Sequence, residues 1–336
     1  MMLFSPDTAP HQSDENNHTV TLSQVVFPKD TDDLGHATAG YLLKLVDIVG
    51  SLSARRYTHA NVVTASLDYM DFINPILTLD VVSATAQVTQ VWTSSLEVLV
   101  TVSSMRYQTG ESHPIAQGYL VFVTLDDHMK PAKAKPLVLE TTQAQLMAQN
   151  ADLRRQTRMF EKQQLAGWAQ IAIEPSDTVA QMERLMTPDD ANIYQNVFGG
   201  VILESTHLVG MQAARDFSRS YLTTVRQDRM NFEQPAIIGE IVSAQATVTR
   251  TWNSSIEVLA EVFARPNESD VRQKRKIANS YLVFVALDEQ GKPKAIPEFK
   301  PQSERQQKRW EDAKLRRDIR LSELKTKKTF FTKTLH

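Results

Sequence analysis

VTQVWTSSLEVLV (88–100) returns 160 residues later as VTRTWNSSIEVLA (248–260). The copies continue outward from that pair. VTASLDYMDFINP (63–75) answers to TTVRQDRMNFEQP (223–235) at the same offset, and GYLVFVTLD (118–126) answers to SYLVFVALD (280–288) at an offset of 162. Two residues have therefore entered the second copy between these blocks, and the charged turn 267–276 is where they are expected. The longer offset persists into ADLRRQTR (151–158) and AKLRRDIR (313–320), so each copy is a whole domain with a trailing polar helix.

Within the first copy, Val20–Phe27 reads as a short strand ended by Pro28. Leu42, Leu43, Val46, Val49 and Leu52 recur at helical spacing through 39–57 and predict one long, mostly buried helix. Four β-type segments follow, at 61–72, 80–92, 95–107 and 115–125. In the third of them Leu96, Val98, Val100 and Val102 alternate with Glu97, Thr101 and Ser103, the period of a half-buried strand. An antiparallel meander after a long apolar helix has to wrap that helix to bury it. The expectation is an α+β protein, a tandem or double hotdog, with the two curved sheets joined edge to edge. The hotdogs are expected at 19–126 and 177–288, a helical linker at 127–176 and a basic helical tail at 289–336.

Composition excludes several classes of function. The chain has 336 residues, 37 basic against 39 acidic, and a formal charge of −2, without the basic surplus that nucleic-acid binding needs. It has no cysteine, so a disulfide framework, a thiolate metal site and a cysteine nucleophile are all ruled out. No apolar run approaches the ~20 residues of a membrane helix. The polar opening MMLFSPDTAPHQSDENNHTV has neither an apolar signal core nor the arginines of a transit peptide, so a cytoplasmic location is expected over a mitochondrial one. The triplets at Asn17, Asn253 and Asn267 then read as chance glycosylation matches. Motifs for a serine hydrolase, a zinc hydrolase, a P-loop and a Rossmann site are missing, and the eight histidines show no metal-ligand spacing. Neither metal nor cofactor is expected.

One polar residue stands out. Asp47 lies two turns into the apolar helix, where a carboxylate is poor for propensity and costly to desolvate. It either satisfies neighbouring backbone or faces solvent, or it is a general base whose pKa burial has raised. Its repeat partner is His207. A second polar cluster precedes each helix: Asn192-Ile-Tyr-Gln-Asn-Val-Phe-Gly199-Gly200 in one copy and Asp32-Asp-Leu-Gly-His-Ala-Thr-Ala39-Gly40 in the other. The glycines either permit close helix packing or let a reacting oxygen reach the free N–H groups of a helix N-terminus.

N-x-x-x-x-x-F-G-G, a helix with one acidic residue, V-T-A-S-x-D, S-S-x-E-V and F-V-x-L-D together resemble the acyl-CoA thioesterase (acyl-CoA hydrolase) family across both repeats. TAGYLLKLVD (38–47) is similar to the first-hotdog helix of its cytosolic acetyl-CoA hydrolase branch, and ANIYQNVFGG (191–200) to the second hotdog of mitochondrial acyl-CoA thioesterases. The resemblance implies hydrolysis of acyl-CoA, with coenzyme A arriving as part of the substrate, and association of chains as a homo-oligomer, commonly a trimer. It implies that Asp47 and Asn192, from different copies, share one catalytic site, with the Gly199 and Gly200 amides holding the oxyanion. The mirror pair, Asp32 and His207, implies a degenerate second site. Thr64, Ser66 and Asp68, with Ser94 and Ser95, rank second, their hydroxyls reading first as strand-face groups bonded to backbone. Arg106, Lys133, Arg265 and Arg272 are candidates for the phosphates of coenzyme A, each also explained as solvated charge. The alternative function is a non-catalytic acyl-CoA-binding or sensing hotdog; a hydratase would want a His after Asn74-Pro75, where Ile-Leu-Thr stands. The tail 301–336, with 11 Lys/Arg against 5 Asp/Glu, reads as a solvated terminus, with an anionic membrane or a partner as the alternative.

Overall fold

The computed structural model describes residues 18–165, 172–177, 179–192, 196–268, 270 and 273–334, with backbone alone at 161–165, 175 and 324–334. The first copy runs β1 (Val20–Val25), α1 (Ala39–Thr58), β2 (Asn61–Phe72), β3 (Val81–Val91), β4 (Ser95–Met105) and β5 (Ser112–Leu125), followed by α2 (Thr142–Leu165). The second runs β6 (Ala180–Leu185), α3 (Gly199–Ser218), β7 (Leu222–Gln227), β8 (Met230–Phe232), β9 (Glu240–Thr251), β10 (Ser255–Pro266) and β11 (Arg275–Ala286), then α4 (Glu304–Thr334). What is one strand in the first copy, β2, is broken into β7 and β8 in the second.

All eleven strands form one antiparallel sheet, ordered β1-β3-β4-β5-β2-β7-β11-β10-β9-β6, with β8 paired to both β11 and β2. The copies meet in the middle, where Asp71 pairs with Arg226, Met70 with Gln227 and Leu67 with Met230. Each half of the sheet curls around its own helix. On α1, Leu42, Leu43, Val46 and Val49 are buried, as the apolar spacing requires, whereas Leu52 is 39% exposed and lies outside that stripe. Gly50 lets α1 approach the sheet: a Cβ there would stand 3.1 Å from the Phe122 ring.

The outer face of each half carries a buried ionic clamp. Glu97, from S-S-x-E-V, is fully buried and accepts from the Arg154 guanidinium at 2.6 Å and from Arg158 at 3.0 Å; Arg158 also reaches Asp68 at 2.7 Å. The second copy repeats this with Glu257 between Arg316 and Arg320, both at 2.6 Å. Arg154 and Arg316 each lie 3.7 Å over a tyrosine ring, Tyr119 and Tyr281. Burial alone would raise the Glu257 carboxyl, but the two guanidinium groups hold it below its usual range. The clamp corrects the expectation of a solvated tail, because Arg309, Arg316 and Arg320 of α4 are all more than nine-tenths buried. A surplus of basic residues looked like solvated charge because their buried acidic partners lie about sixty residues or more away in sequence. Of the run 325–333, the side chains lie outside the described residues.

Candidate active site

The two central helices cross antiparallel at paired glycines. A Cβ on Gly200 would stand 3.0 Å from Lys44 Cα, and one on Gly40 would stand 3.2 Å from His207 Nδ1. A larger residue at either position would force its neighbour to give way by a few tenths of an ångström. Between these contacts Lys44 Nζ reaches Glu204 at 3.4 Å, each residue meeting its own repeat equivalent. The crossing brings the N-terminus of α3 onto the middle of α1, where Asp47 lies.

Asp47 is completely buried. Its Oδ1 accepts a 2.7 Å hydrogen bond from the Thr64 hydroxyl on β2. Its Oδ2 faces the start of α3, and a Cβ on Gly199 would come within 2.8 Å of that oxygen. Desolvation pushes the carboxyl up to about 6, against the opposing pull of the Thr64 hydroxyl and the Gly200 N–H. Four predicted residues, Asp47, Thr64, Gly199 and Gly200, thus converge from both copies. The result is a carboxylate that can change protonation near neutrality, facing backbone amides at a helix N-terminus, as general-base chemistry at a carbonyl requires.

Asn192 lies on the loop before α3. Its Oδ1 accepts from the Asn196 N–H at 3.2 Å, and its own N–H donates to the Asn196 carbonyl at 2.8 Å. Residues 193–195 of that loop, and Arg272, lie outside the described residues. Asp32 closes the equivalent loop of the first copy, accepting from the Leu34 and His36 N–H groups.

The mirror site keeps the framework and changes the chemistry. His207 occupies the place of Asp47, and its Nε2 lies 2.8 Å from Thr224 Oγ1, as Asp47 does from Thr64. Burial pulls the imidazole down to about 4, so it is neutral at pH 7. Asp32 is already engaged: the Tyr221 hydroxyl donates to its Oδ2 at 3.0 Å and lies 2.6 Å from His36 Nδ1. Nothing in the sequence marked Tyr221, which stands where the first site has Asn61.

The remaining candidates go elsewhere. Ser66 is buried at the seam between copies, opposite Val121 and Asn231. Ser94 and Ser95 form the β3–β4 turn, where their carbonyls accept from Thr124 and Trp92; among the described residues neither hydroxyl bonds to Asp47 or Thr64. Asp68 is held by Arg158 and Arg229. Arg106 is bound to Asp80 at 2.6 Å, and Arg265 lies 3.9 Å from Glu183. Sequence reasoning missed the structural role of Glu97 and Glu257, although both copies keep this acidic residue and the arginines that clamp it. Among the described residues no cluster of three or more His, Asp or Glu could hold a metal ion, and no helix is long and apolar enough to cross a membrane.

A family model described as the Thioesterase superfamily matches residues 34–105 and 194–270, one segment in each copy. An acetyl-coenzyme A thioesterase of Mus musculus is 27% identical over 317 residues, covering 90% of this chain and 57% of its own length. The chain therefore spans little more than half of that relative. A Bacillus subtilis protein named an uncharacterized acyl-CoA thioester hydrolase is 38% identical over 136 residues, 40% of this chain and 78% of the relative. A solved Lactobacillus plantarum structure, titled oleoyl thioesterase (putative), shares the fold, with a TM-score of 0.54 at 11% identity over 81% of this chain and 97% of that one. With a matching segment in each of two helix-wrapping half-sheets, the chain belongs to the thioesterase superfamily as a double hotdog.

Proposed function

We propose that this protein hydrolyses acyl-CoA thioesters to the carboxylic acid and coenzyme A, at one site shared by the two copies. The observation that carries the reading is Asp47: a buried carboxylate from one copy, bonded by Thr64, with its second oxygen turned to the Gly199–Gly200 helix start of the other. In the reaction a water gives its proton to Asp47 as its oxygen attacks the thioester carbonyl carbon. The oxyanion that forms is held by N–H groups at Gly199–Gly200, where the helix dipole favours negative charge. The C–S bond then breaks, and the departing sulfur takes the proton back from Asp47. Thr64 fixes the carboxylate rotamer. Asn192 orients the water or the carbonyl through its side-chain amide. Direct attack by Asp47, giving a short-lived anhydride, uses the same geometry.

Asp32 and His207 do not hydrolyse in this reading, because a neutral imidazole replaces the carboxylate and Asp32 is tied to the Tyr221 hydroxyl. A thiol-release assay across acetyl-, medium- and long-chain acyl-CoAs tests the proposal. Release that disappears in Asp47→Asn supports it; binding of acyl-CoA without release would favour the sensing alternative. Association as a trimer of chains and a cytosolic location extend the proposal. They rest on the resemblance to the cytosolic branch, and light scattering and cell fractionation test them.

A further inference from the structure

β2 does not run as a regular strand past Asp47. Against β5, Thr64 pairs with Phe122 and Ser66 with Val121, so Ala65 is an extra residue. Leu67 then pairs with Leu120 and Met70 with Gly118, so a second extra residue falls at Asp68–Tyr69. Each bulge reverses the alternation of the two faces. Thr64 turns in to Asp47 and Leu67 turns in to the core, which leaves Asp68 on the outer face beneath α2. Asp68 is buried there and meets cations from two directions. Arg158 of α2 lies at 2.7 Å, and Arg229, from the β7–β8 turn of the other copy, lies at 3.3 Å. The other charged group facing it is Glu97 of β4, which shares Arg158 at 3.0 Å. Burial pushes the Asp68 carboxyl up in spite of both guanidinium groups.

Attachment of α2 does not require this second carboxylate. Glu97 already accepts from Arg154 at 2.6 Å and from Arg158, and desolvation offsets most of what a further buried ion pair would add. What a buried ion pair supplies instead is geometry, because breaking it strands a charge. Asp68 stands four residues after Thr64, ~13 Å of strand at the usual rise and less across a bulge. Holding Asp68 on the outer face therefore settles which face Thr64 presents. We propose that Asp68 is a positioning residue: gripped by Arg158 and Arg229, it locks the bulged stretch of β2 in the register that aims the Thr64 hydroxyl at Asp47. This rests on the hydrolase reading above. Asp47 is faced by the Thr64 hydroxyl from β2 and the Gly200 N–H from α3, and both favour its ionised form. Releasing Thr64 therefore raises the Asp47 carboxyl further, a change that a pH profile reads and a loss of stability alone does not. Because Arg229 belongs to the second copy, that copy contributes to aiming the base as well as to the helix start opposite it.

The test is the pH profile of kcat/KM for acetyl-CoA hydrolysis by the full chain and its variants. In Asp68→Asn the midpoint should rise from about 6 to ~7, the scale of one hydrogen bond to an ionised group. At pH 5.5 that is a loss of ~8-fold measured against the variant's own plateau. Arg229→Gln should move the midpoint the same way by less. Arg154→Gln, which loosens the same clamp at Glu97 alone, should lower the melting temperature and leave the midpoint in place. Thr64→Val should raise the midpoint by itself, and adding Asp68→Asn to it should raise it no further. An unmoved midpoint in Asp68→Asn overturns the proposal, as does a full further rise on top of Thr64→Val, which would mean that Asp68 does not act through Thr64. If Asp68→Asn does not fold, Arg229→Gln decides by the same two criteria. If the wild type releases no thiol from acyl-CoA, the hydrolase reading fails instead. The Asp47 titration is then read from the pH dependence of the stability change caused by Asp47→Asn, with and without the clamp variant. A raised midpoint in the variant background supports the positioning role, and an unmoved one refutes it.

Discussion

Replacing Asp47 by Asn should abolish hydrolysis and at the same time stabilise the fold in a pH-dependent way. The carboxyl titrates at about 6 when folded, against 3.8 for the ordinary group. A raised carboxyl pKa means that the folded state binds the proton more tightly, so ionising Asp47 costs stability. The cost is absent below the unfolded pKa, grows as pH rises from 3.8, and is complete above the folded value. Raising the carboxyl from 3.8 to about 6 costs the fold ~3 kcal/mol at pH 7.5 and ~0.5 kcal/mol at pH 4. Asn removes this cost but turns an amide toward the Gly200 N–H, a donor–donor contact worth ~1 kcal/mol against it. The net expectation is a gain of ~2 kcal/mol at pH 7.5 that becomes a loss of ~0.5 kcal/mol at pH 4. With an unfolding entropy of about 2 cal/mol/K per residue, the gain at pH 7.5 is a Tm higher by ~3 °C. Thermal or urea denaturation of both proteins at the two pH values measures it, beside a thiol-release assay. A stability difference that does not move with pH would refute the buried-carboxylate argument. Near-normal turnover in Asp47→Asn would refute the general-base assignment.

Wild-type kcat/KM should climb with pH through about 6 and then level off, since the base must be ionised in the free enzyme; a flat profile between pH 5 and 8 would count against Asp47. Gly199→Ala should cost turnover more than stability, because its Cβ would stand 2.8 Å from Asp47 Oδ2 and push the carboxylate off Thr64; steady-state kinetics with a melting curve separates the two. His207→Ala and Asp32→Ala should each keep most of the activity in the same thiol-release assay, and a loss as deep as that of Asp47→Asn would mean that both sites work. Arg316→Ala should lower stability by ~3–5 kcal/mol, measured by denaturant titration, because Glu257 keeps a fully buried charge with one partner fewer.

What the sequence by itself determined was whatever repeats or alternates. The 160-residue offset announced two copies, the apolar spacing from Leu42 to Val49 placed α1, and period-two alternation placed β4. Asp47 was visible because a carboxylate in an apolar stripe breaks a local rule. The family's motifs pointed to Gly199 and Gly200 from the other copy. Tertiary structure decided the rest, because the partners are remote in sequence and carry no local signature. Thr64 became the ligand of Asp47 only once β2 lay beside α1. Arg316 and Arg320 read as surface charge until α4 folded onto Glu257. Arg215 and Tyr221 found their partners, Asp33 and Asp32, only when the end of α3 met the loop of the other copy. Those contacts join residues more than 180 positions apart, so only packing the two copies together reveals them.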